Sequence, residues 1–311
     1  MVNPETCTVE DTVDGDDLPA SWYDGVYMEY HNHDVSEERH DHVRKLAHEH
    51  EDEHNHYILI NSGVSSDPDS VTGKVTSEIL VFDTDTRSLA SRIEGGGRMV
   101  HSYGVHNRNE FWSHSDFDGM FYIVHLSDLN SHVGETVTKF EDIPSHGKLL
   151  WSESSKLGNR AFATGTSEKI LWEVNMETRE AIRKYDYTSD VPEDVCRGLH
   201  AIAYSSQSEH IFAECSGGGG ILEFNVANDN IEFLYRHADQ TGSLYETPDG
   251  KYVVAANKAN NQMHVFKPEG NGVQHAIVAE AELDGNPSSV SFYPKGSDNF
   301  IACMPQVEVR S

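Results

Sequence analysis

Arg160 to Tyr185 reads RAFATGTSEKILWEVNMETREAIRKY. Three short runs, RAFATGT, KILWEVN and REAIRKY, are separated by polar breaks, and each has the length of a β-strand. A fourth run, HGKLLW, precedes them from His146. The same series recurs on both sides. HSYGVH (from His101), HGKLLW, HAIAYS (from His200), GSLYET (from Gly242) and PSSVSF (from Pro287) each open a unit, at spacings of 45, 54, 42 and 45 residues. A second run follows each opening (EFWSHS, RAFATGT, HIFAECS, KYVVAANK, NFIACM). All but the last unit add a third run (MFYIVHL, KILWEVN, GILEFNV, QMHVF) and an outer fourth (ETVTKF, REAIRKY, NIEFLYR, HAIVAEA). Turn signals fall between them, at 107–109, 157–159, Pro248-Asp249-Gly250 and Pro294-Lys295-Gly296.

Four strands per repeat of roughly 40 to 50 residues predict an all-β fold, a β-propeller of six or seven four-stranded blades. An earlier unit contains YILINSG (57–63), EILVFDTD (78–85) and SLASRIE (88–94). GVYMEY (25–30) is expected either to complete the last blade or to begin the first. The chain divides into a His-rich, acidic, largely irregular segment, 1–56, and the propeller, 57–311. Within the first part only Ser36 to His54 reads as helical, with Ser36 as N-cap and Glu37 and Glu38 in the first turn.

The stretch Thr247 to Phe266, TPDGKYVVAANKANNQMHVF, closely resembles the repeat of the YVTN and lactonase-like propellers, and 160–185 is similar to a looser copy of it. That resemblance implies the architecture and leaves the activity open. Joined to a His-rich acidic segment, the layout resembles the AztD-type zinc metallochaperones. This implies a periplasmic propeller that passes zinc to the binding protein of an importer. The chain departs from that pattern in its strong acidity and in a start, MVNPETCTVEDTVDGDD, that lacks the basic and apolar segments of a secretory signal. The expected location is therefore periplasmic or extracellular if a signal has been removed, and cytoplasmic otherwise.

Eight of the 19 histidines lie between His31 and His56, as four H-x-H pairs: His31/His33, His40/His42, His48/His50 and His54/His56. In an extended chain each pair places both imidazoles on one side, near enough to share a metal. In a helix, His50 and His54 would do so at i, i+4. Asp34, Asp41, Glu49, Glu51, Asp52 and Glu53 add oxygen ligands. Mixed imidazole and carboxylate ligands suit Zn2+, with Cu2+, Ni2+ and Co2+ as competitors. A solvated polar loop is the bland alternative.

A second set comes from the repeat. His101, His146 and His200 open three successive units, so propeller symmetry would converge three imidazoles near the axis, the ligand set of an open zinc site. The second strands return to that face, which brings in His114, Glu214, Cys215, Asn257 and Cys303. His106 and His114 could join the site or orient its ligands; His237 and Asp239 are weaker candidates. The alternative is that each histidine bonds a neighbouring carbonyl and holds no metal.

With 23 basic and 52 acidic residues, the net charge is 23 − 52 = −29. So negative a surface disfavours nucleic acid and anionic lipid and concentrates cations. No run approaches the roughly 20 apolar residues of a membrane span. The four cysteines, Cys7, Cys196, Cys215 and Cys303, are widely spaced and are expected to be free thiols. Gly217 to Gly220 reads as a strand-to-strand turn, because no helix follows to complete a phosphate cradle. The expectation is a metal-capturing propeller whose His-rich arm feeds the histidines of one face and whose partner is a metal-receiving transport protein. A metal-dependent enzyme, either a lactonase-like hydrolase with Glu214 as base or a copper oxidase, is the rival. A plain protein-interaction scaffold is the third reading.

Overall fold

A computed structural model describes residues 2–3, 8–9, 22–30, 55–62, 77–96, 99–115, 120–126, 135–136, 149–150, 157–166, 168–226, 230–236, 241–257, 261–269, 273–282, 286–287, 290–294, 300–303 and 306–307. Among these residues the chain is β-sheet and turns, with no α-helix, and no helix is long and apolar enough to cross a membrane. The helix expected over 36–54 lies outside the described residues. The strands form two compact units, 15–139 and 1–14 with 140–311.

The first unit holds two blades. Blade 1 is β3 (Trp22–Tyr30), β4 (Asn55–Ser62), β5 (Glu78–Asp83) and β6 (Ser88–Glu94), paired antiparallel in chain order. GVYMEY therefore begins the first blade, as its innermost strand. Blade 2 is β7 (Met99–Val105), β8 (Glu110–Ser115), β9 (Met120–His125) and β10 (Glu135–Thr136).

The second unit begins with the hairpin of β1 (Val2–Asn3) and β2 (Thr8–Val9). Blade 3 is β11 (Leu149–Leu150), β12 (Arg160–Gly165), β13 (Glu168–Asn175) and β14 (Glu180–Asp186). Blade 4 is β15 (Gly198–Ser205), β16 (His210–Ser216), β17 (Gly220–Asn225) and β18 (Asn230–Arg236). Blade 5 is β19 (Thr241–Glu246), β20 (Val253–Asn257), β21 (Gln262–Glu269) and β22 (Val273–Glu282). Of a sixth blade, β24 (Ser291–Pro294) pairs with β25 (Phe300–Cys303), and β23 (Asn286–Pro287) with β26 (Gln306–Val307).

The middle strands are buried on both faces, which explains why EFWSHS and HIFAECS read as near-continuous rather than alternating runs. In blade 4, Ile211, Ala213 and Cys215 pack with Phe162, Leu171 and Tyr185 of blade 3. The intervening Phe212 turns the other way, joining Leu244, Val253 and Phe266 of blade 5. Period-2 alternation thus serves two cores at once. In the first unit Leu59, Ile79 and Val81 of blade 1 meet Phe111 and Val124 of blade 2 in the same manner.

Two irregularities recur at fixed positions. The innermost strand is bulged near its start in blades 1, 2, 4 and 5, after Trp22, Met99, Leu199 and Thr241. The third strand shifts register against the fourth at Val81/Phe82, Glu173/Val174, Glu223/Phe224 and Val265/Phe266. These marks align the blades residue by residue. After the third strand, Asp83 and Asn175 each accept two backbone N–H bonds from the following turn. Arg87 and Arg179 close those turns with positive φ.

Blade 4 is also tied to blade 5 by a backbone N–H of Ser206 donating to Glu246. Burial pushes the Glu246 carboxyl above its ordinary value of 4.5; this bond opposes the rise and the nearby Asp249 adds to it. An acid raised on folding contributes stability below its unfolded value, and that contribution is lost as pH rises through the folded one. Glu246→Gln keeps an acceptor for Ser206 without this loss. Its stability relative to the parent should therefore improve from pH 4 to pH 7, which urea unfolding across that range would measure.

Candidate metal-binding histidines

The bulge at the start of each innermost strand faces one position on the second strand: Asn61, His114 and Glu214 in blades 1, 2 and 4. Thr164 of blade 3 is its equivalent by the third-strand shift. All four are polar and buried, at no more than 1% exposure. Blade 5 has Ala256 there. Buried polar groups need hydrogen bonds, and here several come from the next blade. Asn61 donates through Nδ2 to Ser102 Oγ at 2.9 Å and accepts from Ser113 Oγ at 2.7 Å. Thr164 Oγ1 donates to the His200 carbonyl at 2.6 Å.

In blade 4, His200 and Ala201 form the bulge opposite Glu214. The Glu214 carboxylate accepts from the Ala201 N–H at 3.3 Å, and its Oε2 lies 3.4 Å from His200 Nδ1. A carboxylate beside Nδ1 favours the tautomer with its proton there and the lone pair on Nε2. In blade 2, His101 stands directly opposite His114. Both are buried, and the His114 ring lies 4.9 Å from that of Phe121.

His101 and His200 are not equivalent, contrary to their alignment as unit openings. Counted from the shared pairs Met99↔Ser115 and Leu199↔Cys215, His101 is two residues on and His200 one. Both bulges hold two residues opposite one, so His101 matches Ala201 and His200 matches Val100. His146 lies outside the described residues, and so do the site candidates His31, His33, His40, His42, His48, His50 and His54, together with His237 and Asp239. His106 is exposed in a 3-10 turn, His106–Arg108, between β7 and β8. Among the described residues no group of three or more His, Cys, Asp or Glu side chains is arranged to hold a metal ion.

The His-rich stretch enters the fold differently from a terminal arm. Tyr30 pairs with Asn55, so 31–54 is a connection between the first two strands of blade 1. It starts where β3 ends. The Asn61–Ser102 bond sets the starts of β3 and β7 side by side, so His101 belongs to the opposite end of its blade, roughly 20 Å away along the strands. The foot of the connection is His56, whose Nδ1 lies 3.2 Å and 3.3 Å from the two Asp85 oxygens. Asn159 and Glu177 make the matching bond in blade 3, so this contact is also a feature of the repeat.

Three further pairs escaped the sequence reading. His210 and Glu223 meet in the buried middle of blade 4. His125 lies 3.7 Å from Glu110, which also accepts from Trp112 Nε1 at 2.8 Å. Cys196 and Cys215 form a disulfide, which corrects the expectation of free thiols for this pair. The two sulfurs are 19 residues apart in sequence and meet because the segment before β15 folds onto the end of β16. Gly217–Gly220 forms the β16–β17 turn, as expected; a Cβ at Gly218 would collide with the Val195 carbonyl.

No protein-family model and no curated protein matches the chain. Among solved structures it is similar to a chain from the crystal structure of a mitotic checkpoint complex, with a TM-score of 0.57 and 11% identity. The match covers 75% of this chain and 64% of that one. At this identity the likeness shows the fold, an all-β propeller of antiparallel blades, and nothing of its chemistry.

Asn61 is the buried link between blades 1 and 2, so Asn61→Ala removes both bonds and leaves a small void. A loss of about 2 kcal/mol is expected from denaturant unfolding. Asn61→Asp keeps the acceptor for Ser113 but buries a carboxylate, so its cost should grow as pH rises through the carboxylate range.

Proposed function

We propose that this chain is a carrier of divalent transition-metal ions, Zn2+ foremost, collected by the histidines of 31–56. The observation that carries this reading is the placement of three H-x-H pairs and His54 in one connection of blade 1, closed at its ends by the Tyr30↔Asn55 pair, with His56 next on β4. A tethered connection of 24 residues keeps seven imidazoles and their acidic neighbours at high mutual concentration, the condition for several weak, exchangeable sites. The net charge of −29 adds a field that draws cations toward it.

His56, on β4, fits as the end of that collector, because Asp85 beside Nδ1 favours a lone pair on Nε2. His200, set by Glu214, is a second metal-binding side chain on the same argument. Transfer from the connection to a tighter site, or to a receiving transport protein, proceeds by ligand exchange. The Cys196–Cys215 disulfide supports a periplasmic or extracellular setting, since such bonds persist in oxidising compartments.

The test is Zn2+ titration by calorimetry, with zinc content after dialysis, on the full chain and on a variant with His31, His33, His40, His42, His48, His50 and His54 changed to Asn. The full chain should bind more than one Zn2+ and the variant should lose most of that capacity. Equal stoichiometry and affinity in both would overturn the collector reading.

A further inference from the structure

We infer that the Cys196–Cys215 disulfide is a positioning clamp for His200, so that only the oxidised protein presents this histidine in one fixed tautomer; this rests on the reading of His200 as a metal-binding side chain. Cys215 follows Glu214 directly on β16, and Cys196 stands four residues before His200. The bond therefore joins the segment that leads into the His200 bulge to the strand that carries its carboxylate. The bulge is bounded on one side by the Leu199↔Cys215 pair, so the clamp acts at the last regular pair before the strand leaves register.

The rest of this segment is held without the disulfide. Lys169, itself buried, donates from Nζ to the Val191 carbonyl at 2.7 Å. The Arg197 N–H donates to the Ser216 carbonyl at 3.3 Å. Gly198 and Gly218 admit the close approach, since a Cβ at either would strike a backbone carbonyl, of Thr166 and Val195 respectively. Val191, Val195 and Leu199 belong to the core shared with blade 3. Blade 4 should thus fold without the bond, while the two-residue bulge loses its nearest covalent restraint.

Both cysteines are fully buried, so the clamp is set during folding and kept. In forming it, the two thiols release two protons and two electrons to an external disulfide oxidant, which leaves as a dithiol, and one S–S bond joins Cys196 to Cys215. No metal takes part in this step.

Imidazole 15N spectra of the metal-free chain test the clamp, with His200 assigned through His200→Gln. The oxidised chain should show distinct protonated Nδ1 and unprotonated Nε2 resonances. Cys196→Ser/Cys215→Ser should move both toward their average, and Cys196→Ala/Cys215→Val, which keeps the site apolar, should do the same if the serine pair fails to fold. Unchanged His200 resonances in a folded double variant would overturn the clamp. Co2+ added to the oxidised chain separates the two ideas. Paramagnetic broadening at His200 that weakens about tenfold in apparent affinity in the double variant supports both. No broadening at His200 removes the metal role of that residue, and the tautomer comparison still decides the clamp.

Discussion

Everything in this chain depends on a sheet being buried on both of its faces. A lone four-stranded blade cannot cover Phe111, Phe162 or Phe212, and each finds its cover only in a neighbouring blade. That constraint makes the middle strands largely apolar, and polar side chains buried there, such as Glu173, His210 and Glu223, are paired with neighbours in the sheet. β14 shows the contrast: five of its first six residues, Glu180 to Lys184, are exposed in sequence, and only Tyr185 turns inward.

The exception to that rule is where the chemistry collects. At the start of the innermost strand the bulge removes regular ladder bonds, and a buried polar side chain from the second strand faces the gap. Asparagine and threonine there reach the next blade, while glutamate in blade 4 turns to its own bulge and engages His200. One backbone feature repeated around the blades thus gives structural links in some and an oriented imidazole in another. The residue at one position decides which.

Much of the architecture was legible in sequence because strands of period 2, turn residues and a near-constant repeat length are local signals. RAFATGT, KILWEVN and REAIRKY became β12, β13 and β14 within a residue or two. Other readings required three-dimensional information. HSYGVH and HAIAYS look aligned by their first histidines, yet the flanking pairs set His101 level with Ala201 and His200 level with Val100, and composition does not show which of two neighbouring residues opens the bulge. The His-rich stretch looked terminal because its partner strand, β3, lies before it, and only the Tyr30↔Asn55 pair reveals a connection inside blade 1. The disulfide was hidden for the same reason: 19 residues of separation match no local motif, and the close approach depends on Gly198 and Gly218. Pairs such as His210–Glu223 join neighbouring strands at positions that register alone determines.

The central claim is that imidazoles of this chain carry a divalent metal. X-ray absorption at the zinc edge, on the full chain loaded with one equivalent of Zn2+ and freed of excess, addresses it directly. The account predicts a shell of nitrogen and oxygen near 2.0 to 2.1 Å with the outer-ring scattering of two or more imidazoles, as expected of His ligation at about those distances. A spectrum of oxygen ligands alone, without imidazole scattering, would contradict it.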